Sequence, residues 1–397
     1  MTGILVTMDA AALLAIAKDW SFWDHAPPAS VQRDVNLPAE LRPDLAMVIQ
    51  GVRRGGKSTL MQQLMHRYRL DRQKCLFLNF EDPRLSPALD HRTLDTMVKA
   101  FEADRGKGVT CFLDEIQWVS GWQRWLRLQL DRPRDRRFVV TGSNAHLLSG
   151  ELGSTLTGRH HAVELFPFDL GEFRAMRPRA TLADYLDVGG FPAIIRSPDR
   201  DMVLRGYFSD IVERDMRERV AARSSLPLRK LVQMLFESAG SESSTRRLAA
   251  ALGLAPDTAG AYVEAAEDAY LAIGAPYFAY SARRQLARHR KFYPVDTGLR
   301  RSVITGSGAD RGKQFECAVF LLLRRRFRTV HYWRDKGEID FVVEHRGKAV
   351  PVQVSWEGPQ PRHARALQAF HEVHPHAGEG VFVTPKSFER GLPELLP

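Results

Sequence analysis

GVRRGGKST, at residues 51–59, is the stretch that decides the fold. Its spacing of a glycine, four residues and then Gly-Lys-Ser is that of a phosphate-binding P-loop, whose backbone N–H groups converge at the start of a helix. We expect Lys57 to reach the β- and γ-phosphates of ATP and the Ser58 hydroxyl to hold Mg²⁺. The residues predicted to bind the nucleotide are Gly51, Arg54, Gly55, Gly56, Lys57, Ser58 and Thr59.

The sequence on either side of this loop has the order that the motif requires. Residues 45–49 are an apolar run typical of a buried parallel strand, and apolar side chains recur at helical spacing between 60 and 68. A strand, a glycine-rich loop and a helix in this order predict a P-loop inside an α/β sheet, rather than a glycine-rich loop on a surface.

A second apolar run, VTCFLDEI at 109–116, ends in two acidic residues. Carboxylate oxygen is the ligand that Mg²⁺ prefers, so Asp114 is the predicted second metal ligand beside Ser58. Glu115 follows on the other side of the strand, where it could orient and deprotonate the attacking water. Because α/β sheets bind ligands at the carboxyl ends of their strands, these acids indicate a catalytic site.

Two further strands are predicted to end at the same edge. The run RRFVVTGSN ends in small polar residues, and either Ser143 or Asn144 could sense the γ-phosphate or position the water. An ordinary Gly-Ser-Asn turn explains that sequence equally well. The run at 74–82 ends in Asn79, Glu81 and Asp82 and belongs to the same edge, where Asn79 could restrain Glu115 between cycles.

Four stretches together resemble a bacterial and archaeal group of AAA-type ATPases. They are GVRRGGKST, NFEDPRL (79–85), FLDEIQ (112–117) and TGSNAHLLSG…LTGRH (141–160), and WSFWDHAPP (20–28) is similar to the leader of that group. The resemblance covers essentially the whole chain. It implies an AAA module, then a winged helix, then a restriction-endonuclease-like domain.

The resemblance also implies a role for Arg159, which lies just before the apolar run HHAVELFPF. In such ATPases an arginine here acts as a finger on the γ-phosphate of a neighbouring subunit, which is worth about 10³–10⁵ in rate. We therefore expect a ring or other homo-oligomer, with a hexamer as one form. A surface ion pair is the alternative, because the chain is rich in arginine.

The pattern of strands, helices and coil predicts an α/β protein of several parts. The AAA-type core has a P-loop NTPase parallel sheet, and the last part is a small α/β domain. The segments are a leader at 1–40, the ATPase core at 41–168, a helical lid region at 169–240, a winged-helix-like domain at 241–305 and a restriction-endonuclease-like domain at 306–397.

The predicted winged helix has two helices, at 244–254 and 255–271, with helix-turn-helix spacing. The second helix carries acids and neither Lys nor Arg, which argues against sequence-specific reading of DNA. The segment at 277–293 is instead basic and flanked by aromatic residues, so it is the candidate for nucleic-acid contact; a hairpin docked on the protein is the alternative. Its candidate residues are Arg283, Arg284, Arg288, Arg290 and Lys291.

The last domain lacks part of the nuclease motif. Active members of the endonuclease-like group place an Asp on one strand and Glu-x-Lys on the next. Asp340 is present and Glu316 could support it, but the second position reads Gln353-Val354-Ser355. Glutamine brings no negative charge and serine cannot replace an ammonium, so we expect this domain to bind DNA or take part in assembly rather than cut.

Composition and charge indicate which classes of partner and which compartment suit this protein. The net charge is +10, which favours a polyanion such as DNA, although GC-rich coding also produces arginine-rich proteins. The three cysteines have no paired spacing, so we expect reduced thiols and neither a disulfide framework nor a zinc site. We find no signal peptide and no membrane-spanning stretch, and expect a cytoplasmic protein.

These observations predict Mg²⁺-dependent ATP hydrolysis coupled to remodelling of duplex or branched DNA without sequence preference. One alternative is a nucleotide-controlled switch that recruits a protein partner in stress or defence signalling. Another is a metal nuclease gated by ATP.

Overall fold

The structure, a computed structural model, describes residues 8–85, 89–132, 135–143, 156–305 and 310–391. The chain divides into two compact units, Met1–Leu165 and Phe166–Pro397. Each unit has its own sheets and its own hydrophobic core, and each is described by itself.

The first unit is built on a five-stranded sheet in the order β2-β3-β4-β1-β5. All four strand pairs are parallel, so the carboxyl ends of the strands share one edge. The central strands are buried on both faces, as parallel strands usually are. The strands are β1 (Ala46–Gln50), β2 (Cys75–Asn79), β3 (Thr110–Asp114), β4 (Arg137–Gly142) and β5 (His160–Glu164).

Helices cover both faces of this sheet. Alternate residues of β1 point to opposite faces, with Ala46 and Val48 in one hydrophobic cluster and Met47 and Ile49 in the other. The first cluster includes residues of α1, α3 and α4, and the second includes residues of α2. These helices are α1 (Ala10–Trp20), α2 (Lys57–Arg67), α3 (His91–Arg105) and α4 (Trp122–Asp131).

The predicted leader packs against the sheet unit. The indole of Trp23 donates to the Cys75 carbonyl at 2.8 Å, and the Tyr68 hydroxyl donates to the Pro38 carbonyl at 2.8 Å. Arg33, also buried, donates to the carbonyl of Gly55 at 2.9 Å. The leader therefore braces the loop that precedes α2.

The second unit begins with four helices. A π-helical turn at Val212–Arg217 continues the third of them. The helices are α5 (Leu170–Met176), α6 (Leu182–Val188), α7 (Arg200–Ile211) and α8 (Leu226–Glu237).

A three-stranded antiparallel sheet follows, in the order β6-β8-β7. The two helices predicted from the sequence are present, and they lie between β6 and β7 in the chain. A connection that contains the short helix α11 joins β7 to β8. The elements are β6 (Glu242–Ser243), α9 (Thr245–Leu252), α10 (Pro256–Asp268), β7 (Ala272–Ala275), α11 (Ala282–Leu286) and β8 (Arg290–Pro294).

The chain ends in a four-stranded mixed sheet of order β12-β11-β10-β9, in which only β11 and β12 run parallel. Its elements are α12 (Thr297–Val303), α13 (Arg311–Arg326), β9 (His331–Arg334), β10 (Glu338–His345), β11 (Lys348–Val354), α14 (Pro361–Val373), β12 (Val381–Val383) and α15 (Pro385–Arg390). The predicted α/β class, with a parallel sheet first and a smaller sheet domain last, is confirmed.

Candidate active site

The loop after β1 has the backbone of a phosphate cradle. A Cβ atom at Gly51 would lie 2.1 Å from the Leu165 carbonyl oxygen, so only glycine fits there. Arg54 and Gly56 have positive φ angles of 65° and 99°, and the chain enters α2 directly afterwards. The loop therefore curls around the N-terminal amides of α2, which is the arrangement that binds anions.

Lys57 lies at the centre of the site. Its ammonium donates to the carbonyls of Gly51 at 3.1 Å and Val52 at 3.3 Å, and lies 3.5 Å from Oε1 of Glu115. Only 4% of its side chain is exposed. A buried positive charge is thus held where a phosphate would meet the loop.

The two residues predicted to hold a metal ion are in direct contact. The Ser58 hydroxyl donates to Oδ2 of Asp114 at 2.6 Å, which joins the start of α2 to the end of β3. Burial, and after it the charge of Glu115, raises the pKa of Asp114. A hydroxyl and a carboxylate side by side are hard oxygen ligands, and they fit Mg²⁺.

Glu115 is held in a constrained backbone conformation. Its φ is 55°, in the left-handed region that non-glycine residues seldom occupy. Gln117 donates to its Oε2 at 2.5 Å. Burial alone would raise the pKa of Glu115, but Lys57, Gln117 and Arg53 together hold it below its ordinary value. The carboxylate is therefore ionised and able to accept a proton.

Sequence reasoning missed Thr141, which links both acids. Its hydroxyl accepts a hydrogen bond from the Glu115 backbone N–H at 3.0 Å and donates to Oδ1 of Asp114. The only feature of the sequence that could have pointed to Thr141 is that it is a polar residue at the apolar end of β4. Of the two residues considered there, Ser143 is buried and its hydrogen bond lowers the pKa of Glu115, whereas Asn144 lies outside the described residues.

Asn79 has a different partner from the one expected. Its side-chain amide donates to Oδ2 of Asp114 at 3.4 Å, and its oxygen accepts from the Glu81 N–H at 2.8 Å. The restraint on Glu115 comes instead from Lys57 and Gln117.

Arg159 lies apart from the other predicted catalytic residues. It precedes β5 at the end opposite the P-loop, where Ala46 pairs with His160. The five residues of β5 put roughly 17 Å between it and the loop edge, which is longer than an arginine side chain. In this chain it pairs with Asp131 at 3.0 Å. It cannot reach a nucleotide bound to its own P-loop, and any role in hydrolysis requires a second subunit.

Arg53 is a further site residue that the sequence did not single out. Its Nη1 donates to Oε1 of Glu81 at 2.8 Å, and only 11% of its side chain is exposed. The ion pair spans the carboxyl edge of the sheet, from the P-loop to the end of β2.

The basic segment divides into buried and exposed parts. The prediction that Lys291 contacts nucleic acid is wrong, because its ammonium is 1% exposed and pairs with Glu338 at 2.6 Å. Arg290 pairs with Glu267 at 2.8 Å. The remaining candidates are exposed on or beside α11, together with Tyr280 and Leu286, which are 73% and 86% exposed. They are Arg283, Arg284 and Arg288.

The acids of the last domain line a cavity of about 810 Å³. Burial, and after it the charge of Glu316, raises the pKa of Asp340 to about 8, and its Oδ2 accepts from the Val354 N–H at 2.7 Å. Gln353 donates to the Glu338 carbonyl at 2.7 Å. Across the described ranges, no group of three or more His, Cys, Asp or Glu side chains is placed to hold a metal ion.

A helix that crosses a membrane must be both long and apolar. Among the residues that the structure describes, no helix combines the length and the apolar character needed to cross a bilayer.

Comparison with known families divides the chain into three parts. Residues 44–174 match the family model of an AAA domain. Residues 179–310 and 311–395 match models of two domains of unknown function, DUF8612 and DUF4143.

Relatives extend over most of the chain. An uncharacterized protein of Haemophilus influenzae is 30% identical over 340 residues, which cover 81% of this chain and 84% of that protein. An uncharacterized protein of Methanocaldococcus jannaschii is 29% identical over 375 residues, which cover 86% and 81%. A solved structure, a Walker-type ATPase of Pyrococcus abyssi, has a TM-score of 0.43 at 13% identity, over 65% of this chain and 90% of that one.

Proposed function

This chain belongs to the same protein family as the Haemophilus influenzae relative and carries an AAA domain of the P-loop type, and on this premise we propose that it is a Mg²⁺-dependent ATPase. The observation that carries the proposal is the meeting of Lys57, Ser58, Asp114 and Glu115 at one edge of the sheet. These residues come from the start of α2 and the end of β3, and together they supply a phosphate-binding cation, hard oxygen ligands and an ionised base.

Each group has one task in this proposal. The P-loop amides and Lys57 bind and orient the β- and γ-phosphates. Glu115 takes the proton from the attacking water, and Thr141 fixes its backbone. Ser58 and Asp114 would hold Mg²⁺, which supplies positive charge to the phosphates when bound.

A hydrolysis assay with two variants tests this proposal. The wild type should hydrolyse ATP only with Mg²⁺ present, and Asp114→Asn should require far more Mg²⁺ for half-maximal rate. A matched control is Asp104→Asn, since Asp104 is exposed at the end of α3 and pairs with Arg105 beside it. If the pure wild type binds no ATP, the proposal fails.

We further propose that hydrolysis is completed between subunits of a homo-oligomer. The resemblance of the LTGRH stretch to AAA-type ATPases supports this role for Arg159, which lies too far from the P-loop of its own chain to act there and is partly exposed, paired with Asp131, at the opposite edge of the sheet. In a ring, that edge of one subunit would face the nucleotide of the next.

Coupling to DNA is a second candidate function, which the connection between β7 and β8 favours. There, three exposed arginines stand beside exposed Tyr280 and Leu286, a combination of charge and flat apolar surface that suits phosphates and bases. The order of α8, β6, α9, α10, β7 and β8 supports a winged-helix-like module in which this connection is the wing. The second helix, α10, is acidic, so we propose binding without sequence preference.

The DNA proposal is tested by measuring affinity and ATPase rate against salt and nucleic-acid type. Replacing Arg283, Arg284 and Arg288 by Gln should weaken duplex binding and reduce the salt slope by roughly 2 to 3, at about 0.9 per phosphate contact. The matched control replaces three exposed arginines of the same unit, which removes the same charge. These are Arg179, Arg205 and Arg223.

Equal losses in both triple variants would indicate nonspecific charge attraction and contradict a wing. An ATPase rate that is low and indifferent to DNA would favour the alternative, a nucleotide-controlled switch that recruits a protein. The other alternative, an ATP-gated nuclease, predicts cleavage of supercoiled DNA with Mg²⁺ or Mn²⁺.

A further inference from the structure

Arg53 lies inside the P-loop, and the proposed ATPase mechanism assigns it no role. It is the third residue of GVRRGGKST, and its side chain extends along the carboxyl edge of the sheet toward the end of β2. The exposed fractions of Arg53 and Glu81 are 11% and 31%, so the cation is covered while the carboxylate faces solvent in part.

The guanidinium belongs to the same loop as Lys57, four residues before it. Its charge acts on Glu115, whose carboxylate lies 3.5 Å from the Lys57 ammonium. Two cations of the same loop, Arg53 and Lys57, are therefore each paired with a carboxylate, Glu81 and Glu115 respectively. In both pairs the carboxylate neutralises a cation of the P-loop.

A bound triphosphate would change that balance. Its negative oxygens compete with Glu115 for Lys57, and they offer Arg53 a partner of higher charge than a half-exposed carboxylate. A guanidinium forms paired, charge-assisted hydrogen bonds to phosphate, and these are stronger than an ion pair open to water.

We propose that Arg53 is a catalytic residue that contacts the γ-phosphate of the nucleotide bound to its own chain, and that Glu81 holds it aside until the nucleotide arrives. The proposal rests on the ATPase function and adds a cation supplied in cis to the one expected from Arg159 of a neighbour. Glu81 is then a competitor of the γ-phosphate for Arg53.

A purely structural role is the opposing explanation. In that case the ion pair only pins the loop after β2 to the P-loop, and removing either partner has the same effect. The two explanations predict opposite results for Glu81, which makes them separable.

The experiment measures the affinities of fluorescent ATPγS and ADP analogues for four full-length variants. Arg53→Gln should bind the ATPγS analogue about ten- to a hundredfold more weakly, with ADP affinity changed less than about twofold. Glu81→Gln should bind the ATPγS analogue about two- to fivefold more tightly, because Arg53 loses the carboxylate that competes with the phosphate. Arg53→Lys should lie between wild type and Arg53→Gln. The control is Arg67→Gln, an exposed arginine at the last turn of α2.

Thermal melts and turnover complete the test. Under the proposal, kcat of Arg53→Gln falls at least about a hundredfold while its melting temperature stays near that of wild type. Equal loss of ATPγS affinity in Arg53→Gln and Glu81→Gln, or equal loss of ADP and ATPγS affinity in Arg53→Gln, would overturn it. A wild type that binds neither analogue contradicts the ATPase proposal itself.

Discussion

The ammonium of Lys57 lies 3.5 Å from Oε1 of Glu115, so the two residues proposed as phosphate-binding cation and general base are paired with each other. The pair is buried, with 4% and 10% of the side chains exposed. A phosphate that takes Lys57 frees Glu115 to accept a proton. In the proposed mechanism, nucleotide binding and activation of the base are linked through this one contact.

We predict that Glu115→Gln retains ATP and loses turnover. Glutamine keeps the shape of the side chain but cannot accept a proton, and a general base contributes about 10²–10⁴ in rate. Equilibrium binding and steady-state hydrolysis, measured on the same preparation, check this. Full hydrolysis by the variant would show that another group is the base.

We predict that Thr141→Val lowers kcat about ten- to a hundredfold, because it leaves the Glu115 N–H and Asp114 Oδ1 without a buried partner. The half-saturating Mg²⁺ concentration should rise as well. Thr110→Val is the matched control, since Thr110 is equally buried but starts β3 at the other edge of the sheet. Similar rates for the two variants would rule out a positioning role for Thr141.

We predict that Arg159→Ala and Lys57→Ala subunits, each inactive alone, regain part of the activity when mixed. In a mixed oligomer some interfaces combine an intact P-loop with an intact Arg159 of the neighbour. Hydrolysis is measured across mixing ratios, with mass determination to show that subunits exchange. Exchange without recovered activity would count against a trans role.

We predict a pH-dependent stability difference at Asp296, which begins α12. Its carboxylate accepts from the N–H groups of Gly190 at 2.6 Å and Leu299 at 2.7 Å. Burial raises its pKa from the ordinary 3.8 to about 6. The folded state therefore holds the proton more tightly than the unfolded state, and ionisation lowers stability as the pH rises through that range.

The measurement compares wild type with Asp296→Asn, which cannot ionise. From pH 4 to pH 7 the unfolding free energy of wild type should fall relative to the variant by roughly 2.4 kcal/mol, at about 1.36 kcal/mol per pKa unit. Denaturant midpoints for the second unit, taken at several pH values, give this difference. Curves that stay parallel would refute the shift.

The sequence by itself determined the residues that lie within one motif. Lys57 and Ser58 follow a glycine-rich turn, and Asp114 and Glu115 end an apolar strand, so spacing and hydrophobic pattern were enough to identify them. The alternation of strands and helices likewise determined the α/β class. These features depend on residues close together in the chain, and a short stretch of sequence is enough to determine their geometry.

Only the tertiary structure decided which distant side chains meet. The order β2-β3-β4-β1-β5 brings Thr141 beside both acids and Glu81 within reach of Arg53, contacts between residues 26 to 28 positions apart. Packing of β8 against the last domain buried Lys291 on Glu338 while it left Arg283 exposed. The sequence shows both as basic residues of one segment, so charge alone could not tell the buried residue from the exposed one. Burial depends on what the fold places over each side chain.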